Sequence, residues 1–173
     1  ISVQFGLLDD KITGELTFYN KDTEDLLFGE PIPASSGFTS LTKNIGAVKN
    51  SGIEFLLNTV NVSNDDFSWT SSLNLATNEN EVVTLPNGED AISGRNILRE
   101  GEPISAFYLV RYAGVNPDNG NALFLDENGV STESYSSAYR VIAGNPFPDF
   151  IGGLTNNLSY KNWNLSFTFS AEF

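Results

Sequence analysis

The chain has 173 residues, with 9 Lys and Arg against 22 Asp and Glu for a formal net charge of −13, and it contains no Cys, His or Met. Phosphate neutralisation needs clustered basic residues, so nucleic acid is excluded as a partner. Without Cys and His there is no disulfide framework, no thiolate or imidazole metal site and no His-dependent nucleophile, so no catalytic residue, metal ligand or cofactor is expected and the chain is not read as an enzyme.

Taken in order, the first segment, Ile1–Leu8, sets Ile1, Val3, Phe5 and Leu7 against Ser2, Gln4 and Gly6. After Asp9-Asp10, the stretch Lys11–Lys21 sets Ile12, Leu16 and Phe18 against Lys11, Thr13, Glu15 and Thr17. In Gly52–Val62, Ile53, Phe55 and Leu57 oppose Gly52, Glu54 and Asn58, with Leu56 and Val60 blurring the pattern. In Phe67–Asn78, Phe67, Trp69, Leu73 and Leu75 alternate with Ser68, Thr70, Ser72, Asn74, Ala76 and Asn78. Phe150–Tyr160 repeats the design, and Trp163–Phe173 shows it most cleanly, with Trp163, Leu165, Phe167, Phe169, Ala171 and Phe173 against Asn164, Ser166, Thr168, Ser170 and Glu172. A period of two over roughly 9 to 11 residues, bulky apolar groups on one face and small polar groups on the other, is the signature of strands that cross a bilayer in an outer-membrane barrel. The alternation therefore predicts Trp69, Leu73, Leu75, Leu165, Phe167 and Phe169 facing lipid, and Ser72, Asn74, Ser166, Thr168 and Glu54 facing the lumen.

The connections are asymmetric. Asp9-Asp10, Ser63–Asp66 and Lys161-Asn162 are tight polar turns, whereas residues from Asp22 to about Ser51 and from Glu79 to about Asp149 form long connections. Barrels of this kind carry short periplasmic turns and long extracellular loops, so the two long segments are expected outside. The second contains 11 acidic residues and 4 Arg. Within it Phe107–Tyr112 and Ala122–Leu125 read as short strands. The runs Asn116–Gly120 and Asp126–Gly129 read as turns, since neither matches the ligand spacing of an EF-hand loop. N-x-S triplets at Asn61, Asn157 and Asn164 read as products of an Asn- and Ser-rich lumen face. Trp69, Tyr160, Trp163, Phe67, Phe18 and Tyr19, near strand ends, read as an interfacial aromatic girdle. Phe107, Tyr108, Arg111, Tyr112, Tyr135, Tyr139 and Arg140 are the candidates for contact with a substrate or a lid protein, through stacking and hydrogen bonds; packing of the loop on itself is the alternative.

The runs LTFYNKDTEDLL (Leu16–Leu27), KNSGIEFLLNTVN (Lys49–Asn61), FSWTSSLNLATNENEV (Phe67–Val82), GEPISAFYLVRYAGVNPDNGNALFLDENG (Gly101–Gly129) and GNPFPDFIGGLTNNLSYKNWNLSFTFS (Gly144–Ser170) resemble, in collinear order, the barrel region of SusC/RagA-type TonB-dependent outer-membrane transporters. The resemblance implies a barrel of about 22 strands closed by a plug domain, importing glycans or peptides in the bacterial outer membrane. It further implies a SusD-like surface lipoprotein as lid and coupling to a TonB complex through an N-terminal box, and leaves open a dimer or larger assembly. The plug, that box and most strands are not in this sequence, so the chain is expected to be an all-β internal piece of the barrel. Its six alternating segments should then form one antiparallel meander sheet with open edges, since so few strands cannot close a barrel. A scaffold subunit that transports nothing, or a secreted carbohydrate-binding sandwich, are the competing readings. In a sandwich Phe167 and Phe169 would lie inside a closed two-sheet core.

Overall fold

The computed structural model describes residues 1–31, 40–44, 46–85 and 88–173, with side chains for all of these except 27–31 and 40–44. Part of the first long connection therefore lies outside the described residues. Among the described residues fifteen strands follow one another: β1 (Ser2–Leu7), β2 (Ile12–Thr23), β3 (Leu27–Pro31), β4 (Ser40–Asn44), β5 (Ala47–Ser63), β6 (Phe67–Thr84), β7 (Ala91–Ser93), β8 (Asn96–Leu98), β9 (Ala106–Val110), β10 (Tyr112–Val115), β11 (Ala122–Leu125), β12 (Ser131–Thr132), β13 (Arg140–Ile142), β14 (Ile151–Tyr160) and β15 (Trp163–Glu172). They form two compact units. One, the wall, comprises Ile1–Thr23, Lys49–Asn80 and Phe147–Phe173; the other comprises Glu24–Val48 and Glu81–Pro146.

The wall is a single six-stranded sheet in the order β1-β2-β5-β6-β14-β15, the sequence order of the six alternating segments. β6, β14 and β15 run antiparallel without a register shift from Tyr160 to Ile151. Residues opposite one another on neighbouring strands share a face. Leu73, Leu154 and Phe169 therefore form one row, and Trp69, Leu158 and Leu165 another, on the apolar face. Ser72, Thr155 and Thr168, and Asn74, Gly153 and Ser170, form rows on the polar face. At the other end of the sheet Val3 faces Leu16 and Leu7 faces Ile12, while Ser2 faces Thr17 and Gln4 faces Glu15.

Among the described residues, the wall contributes no apolar side chain to a buried core. Trp163, Leu165, Phe167 and Phe169 are all exposed, and the fully buried apolar side chains (Val48, Val82, Leu85, Ile97, Leu98 and Ala106) all belong to the second unit. The sandwich alternative fails on this point, because its defining core is missing from the sheet that should supply it.

Two glycines let aromatic side chains lie flat across the sheet. A Cβ at Gly14 would collide with the Phe5 ring, and one at Gly52 with Thr77 O and the Tyr19 hydroxyl. Tyr19 thus crosses Gly52 to reach β6, where its hydroxyl donates to Asn78 Oδ1 at 2.8 Å. This corrects the girdle assignment of Tyr19, which is two residues from Thr17 on the polar face and packs there rather than among the apolar groups. Asn61 is also corrected: it lies on the apolar side, hydrogen-bonded to Ser71, whereas Asn157 and Asn164 pair with Ser166 and Ser159 on the polar side.

The second unit holds a four-stranded sheet β13-β9-β8-β7, a three-stranded sheet β10-β11-β12 and the β3–β4 hairpin. Val48, Val82, Leu85 and Leu98 form its core, with Leu26, Ala91 and Ile104 packed around them. β5 and β6 outrun the expected Gly52–Val62 and Phe67–Asn78 because their ends, Ala47-Val48 and Glu81–Thr84, supply this core. The expected single strand Phe107–Tyr112 is broken at Arg111. Its first part pairs with β13 and β8, and Tyr112 begins β10, which pairs with β11.

Candidate functional site

The polar face of the wall carries cross-strand side-chain hydrogen bonds at both ends of the sheet, between β1 and β2 and between β14 and β15. Gln4 Nε2 donates to Glu15 Oε2 at 3.0 Å, Thr155 and Thr168 hydroxyls meet at 2.8 Å, and Ser166 Oγ donates to Asn157 Oδ1 at 2.7 Å. Glu15, Thr17, Glu54, Ser72, Asn74 and Thr155 line a concavity of about 640 Å³ along it. Phe55, Leu56, Leu75 and Ile151 also border it, so the concavity offers hydroxyl, amide and carboxylate groups beside apolar ones.

The opposite face ends, at the short-turn edge, in an aromatic row: Phe67, Tyr160 and Trp163 stand side by side, with the Lys161 ammonium 5.4 Å from the centre of the Tyr160 ring. Aromatic rings tipped with polar atoms and a lysine are what a membrane interface selects. Trp69 stands one row further in, and its Nε1 donates to Asn156.

The seven loop candidates separate into two groups. Phe107, Tyr108 and Arg140 lie on the four-stranded sheet, where Tyr108 faces Ile142 on β13 and Phe107 faces Asn96 on β8. Both rings are half-buried, and the Arg99 guanidinium stands 5.8 Å over the Tyr108 ring while gripping Asp90 through Nε and Nη2 at 2.6–3.1 Å. The Arg99 hydrogen bonds hold the Asp90 carboxyl below its ordinary range. Arg140 donates to Gly94 O at 3.1 Å. These side chains are occupied in holding their own sheet.

Tyr112 and Tyr135 are different. They are 62% and 60% exposed, and Phe124 stands between them edge-on, its ring centre 6.4 Å from Tyr112 and 5.2 Å from Tyr135. Edge-to-face rings of this kind make a rigid apolar surface at low entropic cost. Phe124 belongs to the expected strand Ala122–Leu125, and the pairing of β10 with β11 brings it opposite Tyr112. Tyr139 is exposed beside the Asp126–Asn128 turn, its N–H donating to Leu125 O, and Arg111 is exposed with its carbonyl accepting from Leu125 N.

A second cluster escaped the sequence entirely. Glu133 accepts from three amides of the β10–β11 turn: Asn116 Nδ2 and Asn119 Nδ2 at Oε1 (2.6 and 2.7 Å), and Asn121 Nδ2 at Oε2 (2.7 Å). Asn119, Asn121 and Asn116, in that order, hold the Glu133 carboxyl below its ordinary range. The turn reading fits the rest of the segment, because Asn116 Oδ1 takes the Asp118 N–H, Asn119 Oδ1 the Asn121 N–H, and Asp126 Oδ1 the N–H groups of Asn128 and Val130.

An antiparallel sheet with one apolar exposed face, one hydrogen-bonded polar face and an aromatic end row is the architecture of a transmembrane barrel wall. Relatives agree. The chain is 36% identical to TonB-dependent receptor P3 of Formosa agariphila across 99% of its own length, and 33% identical to TonB-dependent receptor SusC of Bacteroides thetaiotaomicron across 98%. Among solved structures, the RagAB peptide transporter superposes on 98% of the chain with a TM-score of 0.87 at 28% identity. No family model matches. The chain spans only about a fifth of these relatives, 20% of P3, 18% of SusC and 20% of the RagAB chain. The chain belongs to the family of SusC/RagA-type TonB-dependent receptors of the bacterial outer membrane and corresponds to part of their β-barrel.

Proposed function

We propose that this chain supplies part of the wall and part of the outer loops of a transporter that imports glycans or peptides across the outer membrane. In this reading the apolar face carrying Trp69, Leu73, Leu75, Leu165, Phe167 and Phe169 meets lipid, and the face carrying Glu54, Ser72, Asn74, Ser166 and Thr168 lines the lumen. The unit built mostly from Glu81–Pro146 lies outside the cell, and its Tyr112–Phe124–Tyr135 surface is the part of the loop most available to cargo or to a SusD-like lipoprotein lid. The rest of the polypeptide provides the plug, the TonB contact and the remaining strands, and no step of the work is enzymatic.

The observation that carries the reading is the wall itself: a sheet whose Phe169 is 65% exposed beside a polar face tied by side-chain hydrogen bonds. Such a sheet is stable with hydrocarbon on one side and water on the other. The experiment is uptake by cells expressing the full-length protein, with fluorescent oligosaccharides and oligopeptides as probes. Accumulation of one class that stops when TonB is deleted is expected. A properly inserted barrel that accumulates neither, with or without TonB, would favour a scaffold role instead.

A further inference from the structure

The chain has three Asn-Gly pairs, Asn87-Gly88, Asn119-Gly120 and Asn128-Gly129, and Asn87 lies outside the described residues. The other two occupy the turns between β10 and β11 and between β11 and β12, and their backbones match. Both asparagines are exposed and both glycines have a φ of 77°. Both glycine N–H groups donate to a carbonyl, Gly120 to Asn116 O at 2.8 Å and Gly129 to Asp126 O at 3.1 Å. The side chains differ. Asn119 is pinned at both ends of its amide, Nδ2 donating to Glu133 Oε1 at 2.7 Å and Oδ1 accepting from the Asn121 N–H at 2.9 Å. Asn128 has its backbone N–H held by Asp126 Oδ1, but its carboxamide makes no hydrogen bond among the described residues. It borders a concavity of about 230 Å³ shared with Asp126, Glu127, Thr132, Ser137 and Tyr139, with room for water.

That difference bears on one reaction. The backbone nitrogen that follows an asparagine can attack the asparagine Cγ, most readily when it belongs to glycine, because no Cβ crowds the nitrogen or restricts the backbone as the ring closes. The N–Cγ bond forms, the Cγ–Nδ2 bond breaks, and ammonia leaves with the proton of the backbone N–H. A cyclic succinimide results. Water then opens it at either carbonyl, leaving aspartate on the ordinary backbone or isoaspartate, in which the chain runs through Cβ and Cγ. No oxidant, reductant or cofactor is needed. Attack requires Cγ within roughly 3–3.5 Å of the glycine nitrogen, and a misplacement of about 1 Å can slow a reaction by about 100-fold. A carboxamide free to turn samples that geometry. One tied to Glu133 and to the Asn121 N–H must first break both hydrogen bonds.

We propose that Asn128-Gly129 is a site of spontaneous deamidation and that the Glu133 clasp protects Asn119-Gly120 from the same reaction. Conversion at position 128 adds one negative charge beside Asp126 and Glu127. In the isoaspartate form the backbone also gains one atom between residues 128 and 129. Asp126 Oδ1, which now holds the N–H groups of Asn128 and Val130 together, then loses the spacing that lets it hold both. The β11–β12 pairing, which sets Leu125 against Ser131 across this turn, therefore loosens as the protein ages. The chemistry is the same whatever the barrel carries.

The test uses the full-length protein in lipid nanodiscs, incubated in a mildly alkaline buffer made with heavy-oxygen water. It is then digested in ordinary water at acid pH and mapped by mass spectrometry, with fragmentation that separates aspartate from isoaspartate. Only conversion during the incubation carries the label. In wild type, position 128 should convert to both products about tenfold or more faster than position 119. Equal rates at the two positions would overturn the assignment of 128. So would an unlabelled 128 after the time in which a free peptide spanning Leu125–Ser131 converts. Glu133→Ala, which removes every acceptor of the clasp, should raise the rate at 119 by about tenfold and leave the rate at 128 unchanged. A rate at 119 that does not respond, or that rises only together with the rate at 128, would overturn the protective role of Glu133.

Discussion

In the loop-built unit Val82 and Ile97 are each 1% exposed, whereas in the wall Leu165 and Phe169 are 59% and 65% exposed. The residues are similarly apolar, and the chain runs from one unit into the other without a break along β5 and β6. In the proposed reading, what differs is the solvent each unit meets. The loop unit removes apolar surface from water by packing it inside, as any water-soluble domain does. The wall leaves its apolar surface outward, where water would turn it into an aggregation site and hydrocarbon accepts it. Its internal order comes instead from backbone ladders and from side-chain hydrogen bonds on the polar face.

Substitutions that respect this division should separate the units. Ile97→Ala empties a packed site in the loop core and should cost about 2–5 kcal/mol of that unit's stability. Limited proteolysis of intact cells should then cut within Glu81–Pro146 much faster than in wild type, while the barrel still inserts. Loss of insertion itself would show that the two units do not fold separately.

The wall responds to charge rather than to cavities. Leu73→Arg should cost about 2–4 kcal/mol if that side chain meets the bilayer midplane, and Asn74→Arg, one residue away on the polar face, far less. The readout is the heat-modifiable band of the assembled full-length barrel on gels. Equal damage from the two would count against the register. Gly52→Ala should follow at about 1–3 kcal/mol, since its Cβ would be driven into the Thr77 carbonyl and the Tyr19 hydroxyl, and Tyr19→Phe in the same chain should recover little because the backbone clash remains.

How much of this was legible beforehand follows the same boundary. Wall strands declare themselves in sequence because each residue answers to one of two solvents, so Trp163–Phe173 could be assigned face by face. Asn61 and Ser71 break that code, since a polar side chain on the apolar face is stable only through partners on other strands, and partners are a tertiary fact. Tyr19 breaks it in the other direction, as an aromatic on the polar face whose room comes from Gly52, 33 positions away. In the loop unit there is no two-solvent code. Short strands such as β7 and β8 carry three residues each, too few to show a period, and Phe107–Tyr112 reads as one strand although its halves pair in different sheets. The Glu133 cluster was invisible for a similar reason: the asparagines are ordinary turn residues until the residue that gathers them, a dozen positions later, folds back.

That cluster gives the smallest expected effect and the one confined most sharply to one unit. Three amide donors favour the charged carboxylate, so the folded Glu133 ionises at lower pH than an unfolded glutamate, whose value is about 4.3. With a depressed folded value, the stabilisation is present in full above the unfolded value and is lost as pH falls through the folded one. Between pH 7 and 5 the clasp should therefore be indifferent to pH. Hydrogen exchange over Asn116–Asn121, corrected for intrinsic rates, should quicken only once the buffer passes below the ordinary carboxylate range. Glu133→Gln should quicken it already at pH 7, because the replacement keeps one acceptor oxygen where the carboxylate offered two to three donors, and its acid step should vanish. The wall strands should show neither change. An acid step that survives in Glu133→Gln would assign the titration to another group.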